Sequence, residues 1–201
     1  MTVYDEHRKA GGVLRYGIPN YRLPKEVLEK ELELFSTLGV NFALGKALGR
    51  DVQLTALQAD SDAVILALGS YHHATLDLQG SEGPGYLQGT EVLRLLSEGQ
   101  EADVGSRVVI LGGGNVAIDV ARSLWRLGCQ VTVAYRRGRD EMPANRSEIE
   151  EAFAETPANK AGPARDENFL HNWCLKLPQK TQRSQNLWMG FGCFDVVEFF
   201  A

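Results

Sequence analysis

The sequence predicts an α/β protein built from Rossmann-like dinucleotide-binding units, and three observations carry that expectation. Val108-Val109-Ile110-Leu111 is a short aliphatic run, suited to a parallel strand buried on both faces. It stops at Gly112-Gly113-Gly114. A helix-length segment and a second aliphatic run, Gln130 to Tyr135, complete a strand-helix-strand unit.

The N-terminal elements are read first. Thr2 to Asp5 alternates like a short strand and ends in an acid, and Gly11-Gly12 follows. Val13 to Pro19 is a loop punctuated by Gly17 and Pro19, and Pro24 suits the N1 position of a helix running to Leu38. Leu28, Leu32, Phe35 and Leu38 share one face of that helix, whereas Glu26, Glu29, Lys30, Glu31 and Glu33 read as its solvated side. Gly39 closes it, Val40 to Leu44 is a strand candidate, and Leu54 to Gln58 is a short helical turn. Asp62 to Gly69 is expected to be a buried strand with a glycine stop.

The central unit carries the chemistry. Gly112-x-Gly114-x-x-Ala117 has the form G-x-G-x-x-A: Gly112 for the tight turn, Gly114 for the approach of a pyrophosphate, and Ala117 for close helix packing. Asn115 is a plausible N-cap, and Val116 lies in the first turn, whose amide hydrogens and partial positive charge suit phosphate. Gly128 stands where a left-handed C′ residue belongs. An NAD site usually ends its second strand in an acid for the ribose hydroxyls; here Arg136 and Arg137 follow Tyr135, with Arg139 beyond, which favours the 2′-phosphate of NADP. The bland alternative for these arginines is a solvated basic turn. Glu148, Glu150 and Glu151 read as the polar side of a helix beginning near Ala144, with Ile149, Ala152 and Phe153 inward. Asp119 reads as structural and the adjacent His72 and His73 as loop residues.

Composition excludes several classes. The chain has 201 residues, 44% hydrophobic content and a net charge of −5, enough for one or two domains with a sizeable core. Without a basic run, nucleic acid and anionic membrane are poor candidates as partners. The first residues contain no apolar signal segment, and no stretch is long enough to span a membrane. Cys129, Cys174 and Cys193 form neither a C-x-x-C pair nor a metal pattern, so the expectation is reduced thiols, a cytoplasmic location, and neither a metal site nor an iron-sulfur cluster of the chain's own.

Taken together, Gly11 to Pro19, Tyr21 to Lys25, Asp62 to Gly69, Gly112 to Arg122, Tyr135-Arg136-Arg137 and Glu141-Met142-Pro143-Ala144 resemble the glutamate synthase small-subunit family of NADPH-dependent FAD oxidoreductases. The likeness runs from Met1 to about Glu155. It implies a pyridine nucleotide-disulfide oxidoreductase-like fold, in which an NADP domain is inserted in an FAD domain and hydride passes from nicotinamide to flavin. Electrons then leave for a redox partner, a glutamate synthase large subunit or an iron-sulfur protein. By position, Asp5 takes the place of the FAD-ribose carboxylate, Gly11 and Gly12 the backbone approach to FAD, and Leu14 and Arg15 the loop beside the flavin. Gly112, Gly114, Asn115, Val116, Arg136 and Arg137 would serve NADP(H). No catalytic side chain is demanded, because the cofactors hold the chemistry.

The expected organisation is a partial FAD-binding domain over 1–104, a partial NADP-binding unit over 105–155, and an unrelated, disordered tail over 156–201. In the family a further strand, glycine turn and helix would precede Met1, so truncation at both ends is expected. The tail has two readings: a read-through end, which is favoured, or a replacement strand formed by Phe194 to Phe200. The functional alternative to the oxidoreductase fragment is a non-catalytic gene remnant, or a module that binds NADP without flavin.

Overall fold

The computed structural model describes residues 1–70, 83, 85–135 and 137–155 and the backbone of 195–198. They fall in two compact units, Met1–His72 and His73–Ala201. His72, His73, Cys174 and Cys193 lie outside the described residues.

In the first unit β1 (Thr2–Asp5) pairs in parallel with β2 (Asn41–Leu44), in register from Thr2 opposite Asn41 to Asp5 opposite Leu44. Parallel neighbours require a crossover, and α1 (Gly12–Tyr16) and α2 (Lys25–Thr37) supply it. Pro24 is the N-cap of α2 rather than its first helical residue: its ψ of 128° is extended, while its carbonyl accepts the Val27 N–H. Of the apolar face expected on α2, Leu28 is buried, whereas Phe35 and Leu38 are exposed. A short helix, α3 (Leu54–Ala59), follows β2.

Residues 62–69 are not the buried strand that their composition predicts. They carry no ladder pairing among the described residues, and Ile65, Leu66 and Leu68 are 87%, 56% and 64% exposed. An apolar run becomes a buried strand only where neighbours pair its backbone and cover its faces. Neither is present here among the described residues.

The second unit begins with β3 (Tyr86–Gln88) and α4 (Gly89–Ser97), which are additional to the elements expected from the sequence. It continues with β4 (Arg107–Leu111), α5 (Asn115–Arg126), β5 (Gln130–Ala134), a 3-10 turn (Arg139–Glu141), α6 (Arg146–Glu155) and β6 (Asp195–Glu198). The sheet order is β3-β6-β4-β5, parallel throughout. Val108 and Ile110 of β4 are wholly buried with Val120 and Leu124 of α5 and Val92 of α4. Val109 and Leu111, on the other face, are buried as well. Burial on both sides is what makes a parallel strand read as an unbroken aliphatic run. Val92 and Leu93 of α4 belong to this core, with Leu87 and Leu96 packed against it.

The expectation of a disordered tail is corrected for four residues. Asp195–Glu198 lies between β3 and β4, with Val196 opposite Val109 and Val197 opposite Ile110. A parallel strand there pairs the edge of β4 that faces away from β5. The replacement-strand reading therefore describes these residues better than a disordered end; the rest of 156–201 is outside the described residues.

Candidate dinucleotide site

The loop between β4 and α5 is built by its glycines. Gly112 has a φ of 139°, open to glycine but strained for other residues, and its N–H donates to the Ala134 carbonyl of β5. Gly113 is required by a contact with a residue beyond the glycine motif. A Cβ built there would lie 2.8 Å from the Tyr135 ring, so the aromatic side chain closing β5 rests on the loop backbone.

Gly114, buried and extended, is the N-cap of α5, with its carbonyl accepting the Ile118 N–H at 3.1 Å. The expected cap, Asn115, is instead the first helical residue. Its Oδ1 accepts the Asn145 N–H at 2.7 Å across thirty residues of chain. The amide hydrogens of Asn115, Val116 and Ala117 precede the first intrahelical bond and head the helix dipole. Gly128, with φ 94°, closes α5 as anticipated.

The Glu141-Met142-Pro143-Ala144 block, a family marker without a physical role in the sequence, acquires one here. The Tyr135 hydroxyl donates to the Glu141 carbonyl at 3.0 Å, and the Ala144 N–H donates to the Gly113 carbonyl at 3.1 Å. Met142 and Ala144 are buried. Residues 142–145 thus form a strap fastened to the loop at Gly113 and Asn115. Arg137 is exposed beyond β5, and the Arg139 guanidinium sits 3.8 Å from the Phe153 ring centroid. Arg136 lies outside the described residues.

Behind the strap, Arg122 is 4% exposed and gathers three acids from α6: Glu148 at 2.7 Å, Glu151 at 2.8 Å and Glu155 at 2.5 Å. Glu155 also pairs with Arg126 at 2.6 Å. Burial, the largest single influence on the Glu155 carboxyl, acts to raise its pKa, but Arg122 and Arg126 together outweigh it and hold the group below its ordinary value. The solvated acidic face expected for α6 is corrected for Glu148, whose side chain is only 13% exposed.

Of the five residues assigned to FAD in the first unit, Asp5, Gly11 and Arg15 have close local neighbours. Asp5 Oδ1 accepts from the His7 N–H at 2.9 Å and lies 3.0 Å from His7 Nδ1, while the carboxylate stays 23% exposed. Gly11 faces Leu28 and Arg15 so closely that a Cβ would be 2.9 Å from Leu28 Cδ2. Arg15 is 5% exposed; its Nη1 donates to Glu29 at 2.7 Å and its Nε to the Ala10 carbonyl. Gly12 opens onto space, and Leu14 is 45% exposed. Lys25 Nζ donates to the Leu14 and Ile18 carbonyls, bracing the C-terminal end of α1; burial, then the Arg15 charge, push its pKa down.

Residues 8–161 match the sequence profile of the pyridine nucleotide-disulphide oxidoreductase family. The chain belongs to that family. Among its relatives, the glutamate synthase [NADPH] small chain of Escherichia coli K12 is 38% identical over 166 residues, covering 77% of this chain and 35% of the relative. The NADP(+)-dependent formate dehydrogenase subunit beta of Moorella thermoacetica is 40% identical over 159 residues, again 77% of this chain but 22% of that one. This member of the family thus spans about a third or less of the length of those relatives. In fold it is similar to Mycobacterium tuberculosis FprA in complex with NADPH, with a TM-score of 0.65, 22% identity, and coverage of 99% of this chain and 51% of FprA. No helix among the described residues is long and apolar enough to cross a membrane.

Proposed function

We propose that the chain binds NADP(H) on the loop 112–117 and belongs to a flavoprotein oxidoreductase that passes hydride from NADPH to FAD and on to a redox partner. The observation that carries this reading is the glycine loop itself. It lies at the carboxyl end of β4, heads α5 with unshared amide hydrogens, and is held by Tyr135 and the strap. Gly112, Gly114, Asn115 and Val116 receive the pyrophosphate, and Arg136 and Arg137 the 2′-phosphate. The arginine fork suits a phosphate better than a ribose hydroxyl pair.

For FAD the fit is narrower. Gly12 and Leu14 leave an open surface beside α1, whereas Arg15 and Gly11 are committed to packing α1 on α2. Arg15 then serves a flavin by holding α1 on α2, while Asp5 keeps accessible carboxylate surface for a ribose. A bound flavin would accept hydride from the nicotinamide and hand electrons to the partner. The partner is a second subunit, an inference from relatives named as a small chain and a subunit beta. Location in the cytoplasm accords with the composition.

The test is an absorption spectrum of the purified chain with added FAD, followed by NADPH without oxygen. A flavin band that bleaches on NADPH addition supports the oxidoreductase. Retention of NADP(H) with no flavin bound supports the second reading, an NADP-binding module, which the committed partners of Arg15 and Gly11 favour.

A further inference from the structure

Four hydrogen-bonding groups decide where the strap lies on the dinucleotide loop: Ala144 N–H to Gly113 O, and Asn145 N–H to Asn115 Oδ1. The chain has no slack beyond them, because the Asn145 carbonyl already accepts the Glu148 and Ile149 N–H groups that open α6. The seat of α6 therefore sets the direction of the two strap amides. Ile149, with Ala152 and Phe153 beside it, seats the apolar side of the helix on the core. Its charged side is held by the one buried cation that it faces on α5, Arg122, which uses Nε, Nη1 and Nη2 on Glu148, Glu151 and Glu155, while the more exposed Arg126 adds a contact to Glu155. These acids lie on successive turns of one face, so a planar fork reaches them from three separate nitrogens in fixed directions, whereas an ammonium must serve them from a single point.

We propose that Arg122 is a positioning residue for the dinucleotide loop, acting from behind the site by clasping α6 and so holding the strap amides on Gly113 and Asn115. This rests on the NADP(H) reading of the loop. Arg122 touches no nucleotide; it sets nucleotide affinity through the backbone that buttresses the phosphate turn.

The experiment compares the full chain with Arg122→Lys and with the milder Glu148→Gln, reading NADP+ affinity and amide hydrogen exchange. The expected result is NADP+ affinity about tenfold weaker, in the range for residues that couple to a site without touching its ligand. Exchange at Ala144 and Asn145 should quicken while the β4 amide of Ile110 keeps its protection. Unchanged exchange at the strap overturns the proposal, as does faster exchange with unchanged affinity. Should Arg122→Lys lose protection at Ile110 as well, its fold has failed and Glu148→Gln decides. Should the unaltered chain bind no NADP+, the reading of the loop fails instead, and strap exchange alone decides whether Arg122 sets the strap.

Discussion

Gly113 shows how a single missing methyl group can serve a site. The Tyr135 ring occupies the space a Cβ would need, and its hydroxyl fastens the same ring to Glu141. Gly113→Ala must therefore displace the ring or the loop. Overpacking of this kind costs about 1–3 kcal/mol, so the thermal midpoint should fall and NADP+ binding should weaken with it. At Glu155 the sign of the pH dependence follows from its partners. Because the folded carboxyl is held below its ordinary value of 4.5, its contribution is present above that value and lost as the pH falls through the lower folded one. Acid titration of Glu155→Gln should accordingly be flatter below pH 4.5 than that of the unaltered chain, as followed by circular dichroism. The glycine pattern was legible in the sequence because its demands are local. Arg122 was not, since its partners lie 26, 29 and 33 residues away and acids on a helix most often face water.

Among the elements, β4, α5 and β5 were legible because each carries its own signal: a continuous aliphatic run, a small-residue helix face, and a left-handed glycine between helix and strand. Residues 62–69 carry an equally good strand signal and form none, because pairing is a property of neighbours rather than of composition. The converse case is β6, which has no sustained period to announce it and yet lies between two strands. A central strand cannot lose a ladder N–H without cost, so Val197→Pro, opposite Ile110 and Leu87, should lower the unfolding midpoint of the second unit. An unchanged midpoint would remove β6 from the sheet. Within α5, Leu124 is wholly buried, and Leu124→Ala should cost about 2–5 kcal/mol in chemical denaturation.

For the molecule as a whole, the two units differ in how much of their apolar surface is covered. The second has a closed core beneath a parallel sheet, whereas the first leaves Phe35, Leu38, Ile65 and Leu68 open. The loop proposed for NADP(H) thus belongs to the unit whose core is the better covered, and a packed scaffold lowers the cost of ordering a loop around an anion. The proposed binding of NADP(H) at this loop needs no flavin. The most direct test is calorimetric titration of the chain with NADP+ and with NAD+ at equal ionic strength, repeated on Arg137→Ala. NADP+ should bind at least about tenfold more tightly than NAD+, the worth of one charge-assisted phosphate contact, and Arg137→Ala should narrow that gap. Equal affinity for the two nucleotides, or no binding of either, would rule out an NADP(H)-selective site on this loop.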